Sequence, residues 1–273
     1  MNAPMDKALC CTPSGADVPA LKALWQTVFG DTPGFIHRFF DRWYAPALTA
    51  VVKTGGAVAA MAYVLPTGRY LTPTSAIPAA MIYAVACDPR HRGRGFGRAV
   101  TEHACSLALA AGYEAVTLSP AEKSLFGFYA ALGFSTGFYV REETVPAVAP
   151  GDALALAPVS DEAYYALRER LLADVPHMEV TPSYLALQRL LCQDGGGMAA
   201  VTEQGAPVGC MIWEREGEIV SVKEYLCPLP PAQAAGLLGC DRASFCLPGG
   251  EGDAPFAMFW GKPCGGYYGL AFG

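Results

Sequence analysis

The spacing of apolar residues along the early part of the chain switches between the strand and helix periods, and each switch marks an element. Lys7 to Cys11 reads as a short strand. Val18, Leu21, Leu24, Trp25 and Val28 then share one helical face behind a cap at Ser14 or Asp17, and Gly30 stops that helix. A second helix opens at Asp31 or Thr32 and turns Ile36, Phe39, Phe40 and Trp43 inward. Thr49 to Lys53 and Ala57 to Leu65 read as strands joined by the two-residue turn Gly55-Gly56. A loop rich in Pro, Thr and Gly, Pro66 to Pro78, leads to a strand from Ala79 to Cys87, and its apolar run Met81 to Cys87 has the look of a buried strand. Phe96, Val100, His103, Leu107 and Ala111 return to helical spacing until Gly112, and Glu114 to Leu118 is again a strand. Ser119-Pro-Ala-Glu122 has the form of a capping box with proline at the first helical position. The helix it predicts runs through Leu125, Phe128, Tyr129 and Leu132 to Gly133, with a strand from Phe134 to Arg141 behind it.

A segment rich in Pro and Ala, Val145 to Pro158, reads as a linker, and the order of elements then starts again. Ala153 to Leu156 is a short strand, Ser160 opens a helix to Ala173, and Thr181-Pro182 opens another to Gln193. Three strands come next, Met198 to Thr202, Val208 to Glu214 and Glu218 to Leu226, with turns at Gln204-Gly205 and Glu216-Gly217. This repeats the outline of residues 7 to 87, and an internal duplication is the simplest account. The chain ends in two expected closing strands, Phe256 to Trp260 and Tyr267 to Phe272.

Composition narrows the class. At 273 residues the chain suits two domains, expected at 1–147 and 148–273. No apolar run approaches the roughly 20 residues of a membrane helix and no signal-peptide core opens the chain, so a cytoplasmic protein without a membrane partner is expected. The ten cysteines are scattered without a C-x-x-C pair and read as reduced thiols. Residues 1–150 hold 12 Lys and Arg against 10 Asp and Glu, whereas residues 151–273 hold 7 against 15. That balance excludes a whole-chain nucleic-acid surface, yet four of the 12 cations fall between Arg90 and Arg98, where a local polyphosphate site fits.

Those cations lie in Asp88-Pro-Arg-His-Arg-Gly-Arg-Gly-Phe-Gly-Arg-Ala-Val100, between a strand and a helix start. Glycines let backbone N–H groups approach a ligand closely, and a helix start adds unpaired donors at the positive end of its dipole, so the stretch is an anion cradle. A P-loop needs Gly-Lys-Ser/Thr, which is absent, and the dinucleotide fingerprint would need a third glycine where Arg98 stands. In the second half, Cys227-Pro-Leu-Pro-Pro231 occupies the corresponding place, and proline has no N–H to offer a phosphate.

Arg92-Gly-Arg-Gly95-Phe-Gly97, with Tyr129-Ala-Ala-Leu-Gly133-Phe134 downstream, resembles the GNAT superfamily of N-acetyltransferases. The resemblance implies a mixed α+β acyl-CoA N-acyltransferase fold, twice in tandem, with a degenerate second half. It also implies acetyl-CoA as co-substrate, its pyrophosphate on Arg92, Gly93, Arg94, Gly95, Phe96, Gly97 and Arg98, and its pantetheine arm along Val85, Ala86 and Cys87. A substrate amine of a small molecule or peptide would attack the thioester directly, and by position Tyr129 resembles the general acid that protonates the leaving thiolate. Many members carry a Glu on the strand before the turn. Here that stretch is Met81-Ile-Tyr83-Ala84, which leaves a water chain, Tyr83 or a group from the second half as base. His103 reads as a hydrogen-bonded core histidine, His91 as solvent-exposed, and His37 and His177 show no metal-like spacing, so no metal is expected. The missing carboxylate also motivates a second reading, a CoA-binding sensor or scaffold without catalysis.

Overall fold

The computed structural model describes residues 8–193 and 195–270. In chain order they form β1 (Leu9–Cys11), α1 (Val18–Phe29), α2 (Pro33–Arg42), β2 (Thr49–Thr54), β3 (Ala57–Thr72), β4 (Ser75–Cys87), α3 (Phe96–Ala110), β5 (Ala115–Leu118), α4 (Lys123–Ala130) and β6 (Ser135–Pro146). The order resumes with β7 (Leu154–Pro158), α5 (Asp161–Leu171), β8 (His177–Met178), α6 (Pro182–Leu191), β9 (Gly197–Glu203), β10 (Ala206–Glu216), β11 (Ile219–Leu226), α7 (Pro231–Leu237), β12 (Arg242–Pro248) and β13 (Ala254–Gly261). Lys7, placed at the start of the first strand by its pattern, lies outside the described residues.

One continuous sheet runs through both halves in the order β1-β2-β3-β4-β5-β13-β6-β12-β11-β10-β9-β7, with β8 added beside β3. The centre of this order is an exchange. β13, from the end of the chain, pairs antiparallel with β5 (Phe259 opposite Thr117) and with β6 (Ala254 opposite Val140). β6, from the first half, crosses to pair with β12 (Arg141 opposite Leu247, Thr144 opposite Ser244). Each half therefore lends one strand to the sheet of the other.

Alternation along the strands sorts side chains to the two faces. Met61, Tyr63 and Leu65 of β3 join α1, α2, α5, α6 and residues 267–270 in one core that spans both halves. Ala60, Ala62 and Val64 face the other way, into a core with α3 and Tyr129, while Val220, Val222 and Phe245 pack on α7 in a separate one. At the shared face, Arg168 and Glu224 are fully buried. Arg168 Nε donates to Glu224 Oε1 at 3.0 Å, its Nη1 to Met178 O at 2.9 Å and its Nη2 to Tyr268 O at 3.0 Å. Tyr164 and Tyr267 both donate to the same carboxylate. With its polar atoms satisfied in this way, the pair binds α5, β11 and the end of the chain together.

The structure corrects several expectations. Pro66 to Pro78 is no loop: β3 continues to Thr72 and β4 begins at Ser75, with Pro66 absorbed where the register shifts between Leu65 and Gly68. β8 pairs with this extension at Tyr70 and Leu71, Arg69 holds Glu179 through two 2.9 Å bonds, and Tyr165 donates to Glu179 at 2.7 Å. A Cβ on Gly68 would meet the Glu179 carbonyl at 3.0 Å, so this approach of the two halves requires glycine. Ser119 to Glu122 is not a capping box; α4 starts at Lys123, and the Ser119 hydroxyl instead donates across to Phe256 O of β13 at 2.8 Å. Residues 267–270 form only isolated bridges rather than a strand, and Ala271 and Phe272 lie outside the described residues. β6 extends through Pro146, so the connection between halves is shorter than the pattern suggests. α7 and β12 have no counterpart among the elements expected from the sequence. His103 is half-exposed with its Nε2 unpaired, because Ala104, Cys105 and Ala108 take the inward face of α3.

Candidate active site

β4 and β5 run parallel and pair only from Ala79–Ala115 to Met81–Thr117. Beyond Met81 the register against β3 shifts, and Ala84 takes φ +49°, a left-handed conformation rare for a residue with a side chain. This bulge turns the end of β4 away from β5. Tyr83, Ala86 and Cys87 keep their pairing with β3, and beyond Met81 no strand pairs with β4 on its β5 side.

A cavity of about 690 Å³ occupies the gap. Val85, Arg92, Leu118, Leu125 and Tyr129 line it from the α3 face, and Trp25, Phe29 and Asp31 from the other face. Since Trp25 and Tyr129 belong to cores on opposite faces, the cavity passes through the sheet. The second half contributes Gln188, Glu214, Lys223, Cys246 and residues 269–270. Burial pushes the Cys246 thiol up to about 11, so it faces the cavity as a neutral thiol.

The turn after β4 is fixed locally. Asp88 N–H donates to Ala59 O at 2.9 Å, and the Asp88 carboxylate accepts from Arg90 N–H at 2.9 Å and from the Arg90 guanidinium at 2.6 Å. Those bonds from Arg90 lower the carboxyl to about 2 and keep it ionised. Gly93 and Gly95 adopt φ +73° and +79°, which side chains resist, and Gly95 is the N-cap of α3. The first turn of α3 therefore points its unpaired N–H groups out of the glycine turn.

The residues singled out in the sequence divide by environment. Arg92 is exposed and reaches the cavity wall, and Val85 lines it. Ala86 and Cys87 pair with Met61 and Ala60 of β3. Arg94 stacks on Phe96, 4.9 Å from the ring centre, and meets His91 Nδ1 at 3.0 Å; Phe96 itself is buried. Arg98 pairs with Glu102 and with Ala131 O, and Gly97 lies against the Phe128 ring, 3.5 Å from where a Cβ would stand. Tyr129 is 7% exposed, held edge-on by Phe128 and Phe134, and its hydroxyl has no partner among the described residues. Burial pushes the phenol up to about 12, so it remains protonated near neutrality.

Asp31 is a site residue that no sequence motif marks. The spacing allows the cap of α2 at Asp31 or at Thr32; Thr32 takes it, accepting from Phe35 N–H at 3.2 Å. That releases the Asp31 carboxylate, which accepts from Trp25 Nε1 at 2.7 Å.

A bulged central strand parting from its parallel neighbour, with a glycine turn and helix start at the opening, defines the acyl-CoA N-acyltransferase fold. Solved structures agree with it over nearly the whole chain. A GCN5-related N-acetyltransferase from Anabaena variabilis matches with a TM-score of 0.72 at 16% identity, over 93% of this chain and 72% of that one. Another from Kribbella flavida gives 0.70 at 15% identity, over 95% and 72%. A tandem GNAT protein from the clavulanic acid biosynthesis pathway gives 0.56 at 17% identity, over 94% and 99%. No curated protein matches the chain in sequence. The profile of the acetyltransferase (GNAT) domain matches residues 12–137, so the first half of the chain carries a GNAT domain.

The second half preserves the strand and not the turn. β11 carries a bulge at Lys223, five residues before Pro228, as Ala84 stands five before Pro89. Cys227 to Pro230 comes next, the Tyr225 hydroxyl closes on Leu229 O at 2.8 Å, and α7 is only 7 residues long. Among the described residues no helix is long and apolar enough to cross a membrane.

Proposed function

We propose that the protein is an acetyl-CoA-dependent N-acetyltransferase, in which residues 1–147 hold the donor and residues 148–273 wall the acceptor end. The observation that carries this reading is a continuous cavity that joins the opening of the glycine turn, at Arg92, to the unpartnered phenol of Tyr129. The N–H groups of Arg92 to Arg98 suit a pyrophosphate, with the charge of Arg92 beside it. The backbone of Val85 to Cys87, unpaired towards β5, suits the amides of a pantetheine arm. Acetyl-CoA bound there supplies an activated acyl thioester at the gap between the strands.

A primary amine of a small molecule or peptide enters from the α1–α2 side. It loses one proton to solvent, its nitrogen bonds to the thioester carbon, and the carbon–sulfur bond breaks. The departing thiolate takes the Tyr129 proton, and the second proton of the attacking nitrogen restores the phenol, so charge and protons balance. Incubation with acetyl-CoA and a broad amine panel, following free thiol, tests the reading. Thiol release with formation of the amide is the expected result. CoA binding without turnover on any amine overturns it in favour of a non-catalytic CoA-binding protein, the reading that the carboxylate-free stretch Met81 to Ala84 favours.

A further inference from the structure

The carboxylate absent from β4 is supplied to the same cavity by a different element. Asp31 lies in the turn between α1 and α2 and lines the cavity together with Tyr83, the residue before the Ala84 bulge. Its position is set from beneath: Trp25, 1% exposed, donates its indole N–H to Oδ2 at 2.7 Å. That indole is clamped among Phe29, Phe39, Tyr63 and Tyr83 at ring separations of 4.6–5.9 Å. Tyr83 feels the charge, its phenol being pushed up first by burial and then by Asp31.

The carboxylate is half-buried and lacks a positive partner among the described residues. Lys223, the cation that the second half contributes to the cavity wall, is engaged with Glu214 at 3.1 Å. A hydrogen bond from a neutral indole does not neutralise a carboxylate, and a charge partly withdrawn from water gains most from a cation that completes it. Aromatic rings at its edge, Tyr83 and the 43% exposed Phe29, are the surroundings that an ammonium ion favours over a neutral group.

We propose that Asp31 is the acceptor-binding carboxylate: the substrate is a cationic primary amine whose ammonium pairs with Asp31 beside Tyr83 and Phe29, oriented for delivery through the β4–β5 gap. This rests on the acyltransferase reading and names its acceptor class. Asp31 binds and positions the nitrogen and takes no part in the acyl transfer itself.

The test separates the two readings. Phenethylammonium, butylammonium and 1,4-diaminobutane, with 2-phenylethanol as the neutral control, are titrated into the CoA-loaded protein while the indole N–H resonance of Trp25 is followed by NMR, assigned with Trp25→Phe. The expected result is a saturable shift with at least one of the amines and none with the alcohol. Asp31→Asn, which keeps an oxygen for the indole, is expected to weaken that amine at least tenfold while leaving CoA affinity and melting temperature unchanged. Equal affinity in Asp31→Asn, or no shift with any amine, overturns the proposal. Asp31-dependent binding without acetyl transfer overturns the acyltransferase reading alone; transfer with an unchanged KM in Asp31→Asn overturns this proposal alone.

Discussion

β4 and β11 are the same structural idea carried out twice, and they diverge immediately after the bulge. Behind β4 come two glycines in left-handed conformation and a helix of 15 residues, Phe96–Ala110. Behind β11 come three prolines and a helix of 7 residues, its neighbouring groove lined by Tyr225, Leu226, Leu229 and Leu247. The bulge depends on strand pairing and survives on either sequence. Anion binding depends on free N–H groups, and proline removes them. The second half thus has the feature that shapes a cavity wall and lacks the glycine turn proposed to hold phosphate.

The strongest way to break this comparison is to attack the contacts that tie the halves together. Arg168→Met leaves the Glu224 carboxylate buried without its cation, held only by two tyrosine hydroxyls, and is expected to cost about 3–5 kcal/mol, read as a lowered denaturant midpoint. Retention of wild-type stability would mean the seam is not held there. Next in size, Tyr129→Phe is expected to lower kcat about a hundredfold with CoA affinity unchanged. With its phenol at about 12, the wild type is expected to show no loss of activity from Tyr129 titration up to about pH 10. Gly95→Val places a branched side chain at φ +79° and is expected to weaken CoA binding by tens of fold, about 2 kcal/mol. Pro228→Gly, in the turn after β11, is expected to leave CoA affinity unchanged in the same calorimetric titration. The smallest effect is local to the first half. Hydrogen bonds from Lys53 and Ser14 lower Asp17 from 3.8 to about 2. Since the folded value is the lower one, the stabilisation is full above about pH 4 and fades as pH falls towards 2. Asp17→Asn is expected to flatten that part of the acid-unfolding profile.

The features legible in the sequence are local ones. The glycine turn, Tyr129 and the helices capped by Thr32, Ser160 and Thr181 can be read from spacing within a few residues, and so can the recurring order of strand, two helices and three strands. Pairing between distant segments cannot. Pro66 to Pro78 reads as a loop because its prolines and glycine break a strand pattern; β8, from the other half, makes it a strand. Ser119 looks like a cap until β13 lies beside it. α7 and β12 hide behind prolines and alanines, although Ala243, Phe245 and Leu247 alternate as a strand should. Asp31 carries no motif at all; only the fold sets it against Trp25 and the cavity.

The exchange of β6 and β13 has a consequence for how the chain is made. As the protein leaves the ribosome, the turn, α3 and Tyr129 emerge well before residues 254–261, so β5 and β6 wait with open edges for the strand that fits between them. N-terminal domains generally fold first during synthesis, and here the first half lacks an internal strand until β13 has been translated. The sheet of the first half is thus completed by residues made more than a hundred positions after Tyr129. A chain stopped by a premature stop codon or clipped ahead of β13 lacks the strand that closes the sheet between β5 and β6.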